Sequence, residues 1–197
     1  MKAYLYLLLN KPLQKDLEDL KEIIESCVAG NERAQAKLYE LFAPKMFGVC
    51  LRYATDSAEA EDNLQEGFIK VFKYIEKFRH EGSFEGWMRR IMVNVSLEKY
   101  RKQHYMYPVE DIEIYEGNVF ANDILAEISV QELIALIQEL PPRYRMVFNL
   151  YVMEGMSHRE IGKEMNISEG TSKSNLARAR DILQRKVKNL YREVGTK

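Results

Sequence analysis

From Leu13 to about residue 105, apolar residues recur at three- and four-residue intervals. Nowhere in that stretch do Val, Ile and Thr alternate with polar side chains as they would in a half-buried strand. This periodicity admits helices and excludes a sheet, so the predicted fold class is all-α. At roughly 100–200 residues per domain, a chain of 197 residues makes one helical domain or two small ones. Hydrophobic residues at 46% suffice for a core, and ten Gly with five Pro are too few for a collagen-like or disordered chain.

Punctuation favours two domains. Pro108 closes the first helical block, and residues 108–122 (PVEDIEIYEGNVFAN) have no helical period and carry a Gly117-Asn118 turn. Helical spacing resumes near Asp123 and is interrupted at Leu140-Pro141-Pro142, where Pro142 suits the first turn of a new helix. The predicted division is a domain at 1–107, an acidic linker at 108–122 and a second domain at 123–197.

The net charge of −1 conceals a segmented pattern. Residues 79–107 carry six basic and three acidic side chains, residues 108–140 eight acidic and none basic, and residues 141–197 twelve basic and six acidic. Two basic blocks flanking an acidic one suggest two modules facing nucleic acid and a connector that avoids it.

Cys27 and Cys50 are far apart in apolar, helix-like surroundings, which predicts free thiols and a reducing compartment. His80, His104 and His158 share no ligand spacing with each other or with the cysteines, so neither a metal nor a cofactor is expected. Residues 1–9 form a short apolar run with no small-residue cleavage site, a lead-in rather than a signal peptide. No run approaches the roughly 18–20 apolar residues of a membrane span. A cytoplasmic protein without membrane insertion is expected.

The strongest local signal lies at residues 157–190. Ser157 and Glu160 have the spacing of a capping box. Asn166 suits a left-handed turn position, and Ser168 can cap a longer helix beginning near Glu169. Two helices joined by so short a turn outline a helix-turn-helix. At 100° per residue, Leu176, Ala179, Leu183, Val187 and Leu190 form one apolar stripe. Lys173, Ser174, Ala177, Arg178 and Asp181 fall on the opposite side near the helix start, where a recognition helix reads base edges. Arg178 suits bidentate pairing with guanine, Lys173 guanine or phosphate, and Ser174 either kind of group. Arg180, Arg185, Lys186 and Lys188 are placed for phosphate or solvent.

In the first block, a helix from about Ala60 to Phe78 aligns Leu64, Phe68, Val71, Ile75 and Phe78, with Phe72 at the edge. Asp62, Gln65, Glu66, Ile69, Lys73 and Glu76 fall off that stripe, and an exposed Ile69 ringed by polar residues gives an apolar centre with a polar rim suited to a protein interface. Downstream, Arg79-His-Glu-Gly-Ser83 is a polar loop with Gly82 as its pivot, and Ser83 caps a helix carrying Trp87. Arg90, Asn94 and Arg101 share a face of that helix beside Leu97. Amides and guanidiniums of this kind bond base edges, follow phosphates or stack on unpaired bases. Trp87, between Phe84 and Ile91, reads as core.

The runs Leu140-Pro-Pro-Arg-Tyr-Arg-Met-Val-Phe-Asn-Leu-Tyr, Met156-Ser-His-Arg-Glu-Ile-Gly and Ile167-Ser-Glu-Gly-Thr-Ser-Lys-Ser-Asn-Leu-Ala-Arg-Ala-Arg resemble region four of bacterial sigma factors. Asp62-Asn-Leu-Gln-Glu-Gly-Phe-Ile-Lys-Val-Phe and Phe78-Arg-His-Glu-Gly-Ser-Phe-Glu-Gly-Trp-Met-Arg-Arg-Ile-Met-Val-Asn resemble region two. Order, spacing and the short linker resemble those of the extracytoplasmic-function (ECF) sigma factors, over roughly residues 20–193.

The resemblance implies a non-enzymatic protein that binds core RNA polymerase and directs promoter-specific initiation. Asp62, Gln65, Glu66 and Ile69 would meet the polymerase clamp helices, and region four the flap. Arg79, Arg90, Asn94 and Arg101 would capture and melt the minus-ten element, where a flipped base must be held in a shaped pocket. Lys173, Ser174, Ala177 and Arg178 would read the minus-thirty-five element. The linker acids Asp111, Glu113, Glu116 and Asp123 would thread a basic polymerase channel, and an anti-sigma factor would be a further partner.

Three other readings fit less of the chain. A stand-alone helix-turn-helix regulator would need dimer symmetry and leaves residues 1–107 unexplained. A carboxylate-bridged metal enzyme needs Glu-x-x-His pairs, which the sequence lacks. A pure adaptor leaves the angular pattern of the last helix without purpose.

Overall fold

In the computed structural model, which describes residues 14–104 and 129–194, the chain is all-α, as the periodicity predicts. The first group comprises α1 (Gln14–Val28), α2 (Glu32–Tyr53), α3 (Ser57–Tyr74) with a 3-10 turn at Ile75–Lys77, and α4 (Phe84–His104). The second comprises α5 (Val130–Gln138), α6 (Pro142–Val152), α7 (His158–Met165) and α8 (Glu169–Val194). The predicted linker, the lead-in at residues 1–9 and the expected helix start near Asp123 lie outside the described residues.

Helix boundaries follow from side chains that satisfy orphan backbone donors. Asn31 accepts from the Arg33 and Ala34 amides at the start of α2, and Asp56 accepts from Glu59 at the start of α3. Ser129 and Glu132 form a capping box ahead of α5, and Pro142 occupies the first turn of α6. Ser83 accepts from the Gly86 amide and opens α4.

Helix α2 is the hub of the first group. It buries Leu38, Phe42, Met46, Val49, Cys50 and Tyr53, and packs against α1, α3 and α4. The stripe of α3 turns inward as predicted, with Leu64, Phe68, Val71 and Ile75 buried and Phe72 half-buried. At Gly67 the two helices come so close that a Cβ would lie 2.1 Å from the Met92 Sδ. Trp87 stacks on Phe84 with ring centroids 5.5 Å apart and leans on Phe78, so it is part of the aromatic packing.

Both cysteines are free and buried, and burial pushes the Cys50 thiol up to about 12. In the second group, Leu176, Ala179, Leu183 and Val187 of α8 are buried, several of them against Ile137 and Leu140.

The two groups also pack on one another. One buried cluster runs from Ile23 and Leu38 through Met92 to Met146, Leu150, Ile161 and Leu176. Polar contacts join the same surfaces. The last carbonyls of α2, which have no partner within their own helix, are met by the second group. Gln138 Nε2 donates to the Leu51 carbonyl at 3.1 Å, and Asn149 Nδ2 donates to the Arg52 carbonyl at 2.7 Å.

Candidate functional site

The helix-turn-helix is built by short-range chemistry. The Ser157 side chain and the Glu160 carboxylate cap each other's backbone amides at the start of α7, holding the Glu160 carboxyl below its ordinary range. Asn166 takes the left-handed conformation (φ 53°), and its amide returns to the Gly162 carbonyl, as does that of Ile167 at 3.0 Å. Ser168 accepts from the Thr171 amide at 2.9 Å and starts α8.

Lys173, Ser174 and Ala177 are exposed at the beginning of α8, on the face the angular reading assigns to DNA. Lys173 pairs with Glu169 at 2.7 Å, and the Ser174 hydroxyl donates to the Thr171 carbonyl at 3.0 Å. Arg178 behaves differently. It is half-buried and donates to the Tyr144 hydroxyl of α6 at 3.4 Å, so contacting a base requires it to leave that bond. Arg185 is held by Asp181 at 2.7 Å.

On α3, Asp62, Gln65 and Glu66 are exposed, and Ile69 is 67% exposed. Burying a side chain the size of Ile contributes about 1.5–3 kcal/mol, which Ile69 leaves available for a partner. The rim is electrostatically mixed. Asp62 lies 3.7 Å from Lys99, and Glu66 lies 3.2 Å from Lys70, which also pairs with Glu98 at 2.6 Å.

The loop before α4 turns through two left-handed residues, His80 (φ 58°) and Gly82 (φ 96°). Gly82 was legible as the pivot, but His80 was not, since a non-glycine residue seldom adopts that conformation. Arg79 is exposed on the loop. Beyond it, Arg90 and Asn94 are exposed and line a cleft of about 540 Å³ whose floor includes Val93 and Leu97. The opposite wall comes from the second group, as Glu154, Glu160 and Glu164. Arg101, half-buried, extends the same side and lies 3.6 Å from Glu164.

At one end of this cleft is a polar cluster that sequence reasoning missed. The Arg89 guanidinium donates to both carboxylate oxygens of Glu154 at 2.9 Å and to the Met153 carbonyl at 2.8 Å. Its hydrogen bond to Glu154 holds Arg89 above its ordinary range. The Tyr53 hydroxyl donates to Glu154 at 3.3 Å, and burial, then the Glu154 charge, pushes that phenol up. Arg52 lies beside them, lowered by burial and then by the Arg89 charge. No local pattern announces contacts between residues 65 and 101 positions apart. The Ser129–Glu132 box, by contrast, has a spacing that could have been read.

Among the described residues, no group of three or more His, Cys, Asp or Glu could hold a metal ion. Among the same residues, no helix is long and apolar enough to cross a membrane.

The fold is an all-α one that ends in a helix-turn-helix, with an exposed apolar residue in a polar rim on α3 and a cationic, amide-bearing face on α4. Residues 38–105 match Sigma-70 region 2, and residues 130–183 match Sigma-70, region 4. The chain is 30% identical over 183 residues to the ECF RNA polymerase sigma factor SigW of Bacillus subtilis, across 87% of this chain and 98% of that protein. It is 30% identical over 182 residues to the ECF RNA polymerase sigma-E factor of Escherichia coli K12, across 86% and 95%. Among solved structures, it is similar to the sigma factor RpoE of Bartonella quintana bound to the anti-sigma factor NepR. That match has a TM-score of 0.46 and 20% identity, covering 78% of this chain and 96% of that one. The chain belongs to the ECF RNA polymerase sigma factors, alternative sigma factors that direct transcription initiation. Sigma factors bind core RNA polymerase and promoter DNA.

Proposed function

We propose that the chain divides its work between residues 1–107, which bind polymerase and open the minus-ten element, and residues 123–197, which read the minus-thirty-five element. The acidic segment 108–122 connects them. It acts in the cytoplasm by binding rather than by catalysis, and an anti-sigma factor is its expected regulator.

Asp62, Gln65, Glu66 and Ile69 form the polymerase contact. The observation that carries this reading is Ile69, two-thirds exposed within a polar rim, an apolar centre that protein contacts use and DNA contacts do not need. Arg79, Arg90, Asn94 and Arg101 take the separated non-template strand, with amide and guanidinium groups for bases and phosphates. Lys173, Ser174, Ala177 and Arg178 read the duplex.

The test is core-polymerase binding by a double variant, Gln65→Arg with Ile69→Arg. Two cations placed at a desolvated contact should weaken binding at least tenfold, while helical content stays unchanged because both positions are exposed. Binding as tight as wild type would remove this face from the interface.

A further inference from the structure

We propose that His158 is a proton-coupled phosphate contact. Its ring, neutral in the free chain near neutral pH, takes up one proton when a backbone phosphate of the promoter duplex docks beside it and Arg180. The proposal rests on the reading of Lys173, Ser174, Ala177 and Arg178 as the face that meets the duplex.

Three helices build the seat. His158 is the first residue of α7, and in a helix-turn-helix the first helix crosses the DNA backbone while the second reads bases. Its ring stacks on Tyr151 of α6, with centroids 4.6 Å apart and an interplanar angle of 21°. The Arg180 guanidinium of α8 stands over the same Tyr151 ring at 5.7 Å. One aromatic platform thus holds basic groups from two helices. Lys173 and Arg180 lie on one line of α8, about two turns apart, so the seat flanks the base-reading residues.

The chain leaves this seat short of negative charge. The charges that face His158 from α8 are Lys173 and Arg180, both positive, and Glu169, which Lys173 already binds at 2.7 Å. On its own helix, Arg159 is exposed and Glu160 is engaged by Ser157. Arg180 is exposed and makes no hydrogen bond or ion pair with the described residues. A phosphodiester has the charge and the acceptor oxygens that such a seat wants.

The ring chemistry couples the contact to a proton. Nδ1 bonds the hydroxyl of the buried Ser172 at 2.9 Å, and Nε2 has no hydrogen-bond partner among the described residues. A hydroxyl both donates and accepts, so the Ser172 bond survives when the ring gains a proton. The charged ring then donates from both nitrogens, to Ser172 and to the phosphate. Before docking, burial and then the Lys173 charge hold the ring below its ordinary value. An anion within hydrogen-bond distance opposes both effects and moves a titration midpoint up by about 1–3 pH units. Binding that raises a midpoint takes up protons, so duplex affinity strengthens as pH falls between the two values.

The test uses the full-length chain and a random-sequence duplex pool, because phosphate contacts are independent of sequence. In proton NMR, the His158 ring signal is assigned by its loss in His158→Gln. It should titrate below about pH 6.5 in the free chain and at least about one pH unit higher with duplex. A midpoint that duplex leaves unmoved or lowers overturns the proposal. By fluorescence anisotropy, wild type should gain about tenfold more affinity than His158→Gln between about pH 8 and about pH 5.5. Gln is chosen because it can keep a bond to Ser172, and equal pH dependence in the two proteins overturns the proton uptake.

Arg180→Ala should reduce the slope of log affinity against log salt by about one; an unchanged slope overturns the seat. Ala177→Glu places an acid in the base-reading face and should weaken binding throughout the pH range. Undiminished binding there refutes the reading of α8 and the proposal with it, whereas weakened binding with an unmoved His158 refutes the proton uptake alone.

Discussion

Adding one methyl group at Gly162 probes how closely the helix-turn-helix is assembled. A Cβ at this position lies 2.8 Å from the Ile167 carbonyl oxygen and 3.8 Å from the Glu169 nitrogen and the Ser168 carbonyl carbon. The obstacle is backbone, and that backbone is pinned. The amides of Asn166 and Ile167 both return to the Gly162 carbonyl, and the Ser168 hydroxyl caps α8. Relieving the clash moves the turn by about half an ångström. Over-packing costs about 1–3 kcal/mol, and a clash against pinned backbone falls in the upper part of that range, about 2–3 kcal/mol, while Ala gains about 1 kcal/mol over Gly within a helix. Gly162→Ala should therefore lose about 1–2 kcal/mol, which for a chain of this size lowers Tm by about 2–8 °C. The assay is thermal unfolding of the full-length chain followed by circular dichroism. Lys163→Ala, on the exposed neighbouring position, serves as the control that should stay near wild type. A Gly162→Ala protein melting at or above the wild-type temperature would refute the close approach.

The remaining predictions concern DNA contact and pH. Arg178→Ala should cost about 1–3 kcal/mol on the cognate minus-thirty-five duplex and relax base preference there, whereas Arg185→Ala should weaken all sequences about equally; competition binding with base-substituted duplexes separates the two. Asn94→Ala should leave closed promoter complexes intact and slow opening roughly 5- to 150-fold, the equivalent of about 1–3 kcal/mol; undiminished thymine reactivity to permanganate would exclude Asn94 from opening. His158 is lowered below its ordinary value by burial and then by the Lys173 charge, while its ring bonds Ser172 at 2.9 Å. The folded state thus favours the neutral ring, and the stability this lends is present above about pH 6.5 and lost as pH falls toward the lowered folded value. His158→Gln should flatten chemical-denaturation stability between pH 7 and 5; an unchanged slope would count against it.

Much of this molecule is legible in short windows of sequence. Helical class, the Ser157–Glu160 box, the left-handed Asn166 and the inward stripes of α3 and α8 depend on hydrogen bonds and side-chain rows within about four residues, so a linear reading recovers them. The exposed Ile69 is legible for the same reason, because one helix's angles decide which side of it faces the core. Sequence alone also carried the family, through two motif blocks in order.

What it could not determine is which distant surfaces meet. Arg89 finds Glu154 across 65 positions, Gln138 and Asn149 cap a helix that ended more than 80 residues earlier, and Arg178 turns to Tyr144 instead of projecting freely. The space beside Gly67 is filled by the Met92 side chain of a neighbouring helix, which its own turn does not reveal. Such partners are chosen when helices pack, because packing one helix on another admits several crossing geometries and only the common core selects among them. Periodicity tells each helix which face to bury; the other helices decide against what.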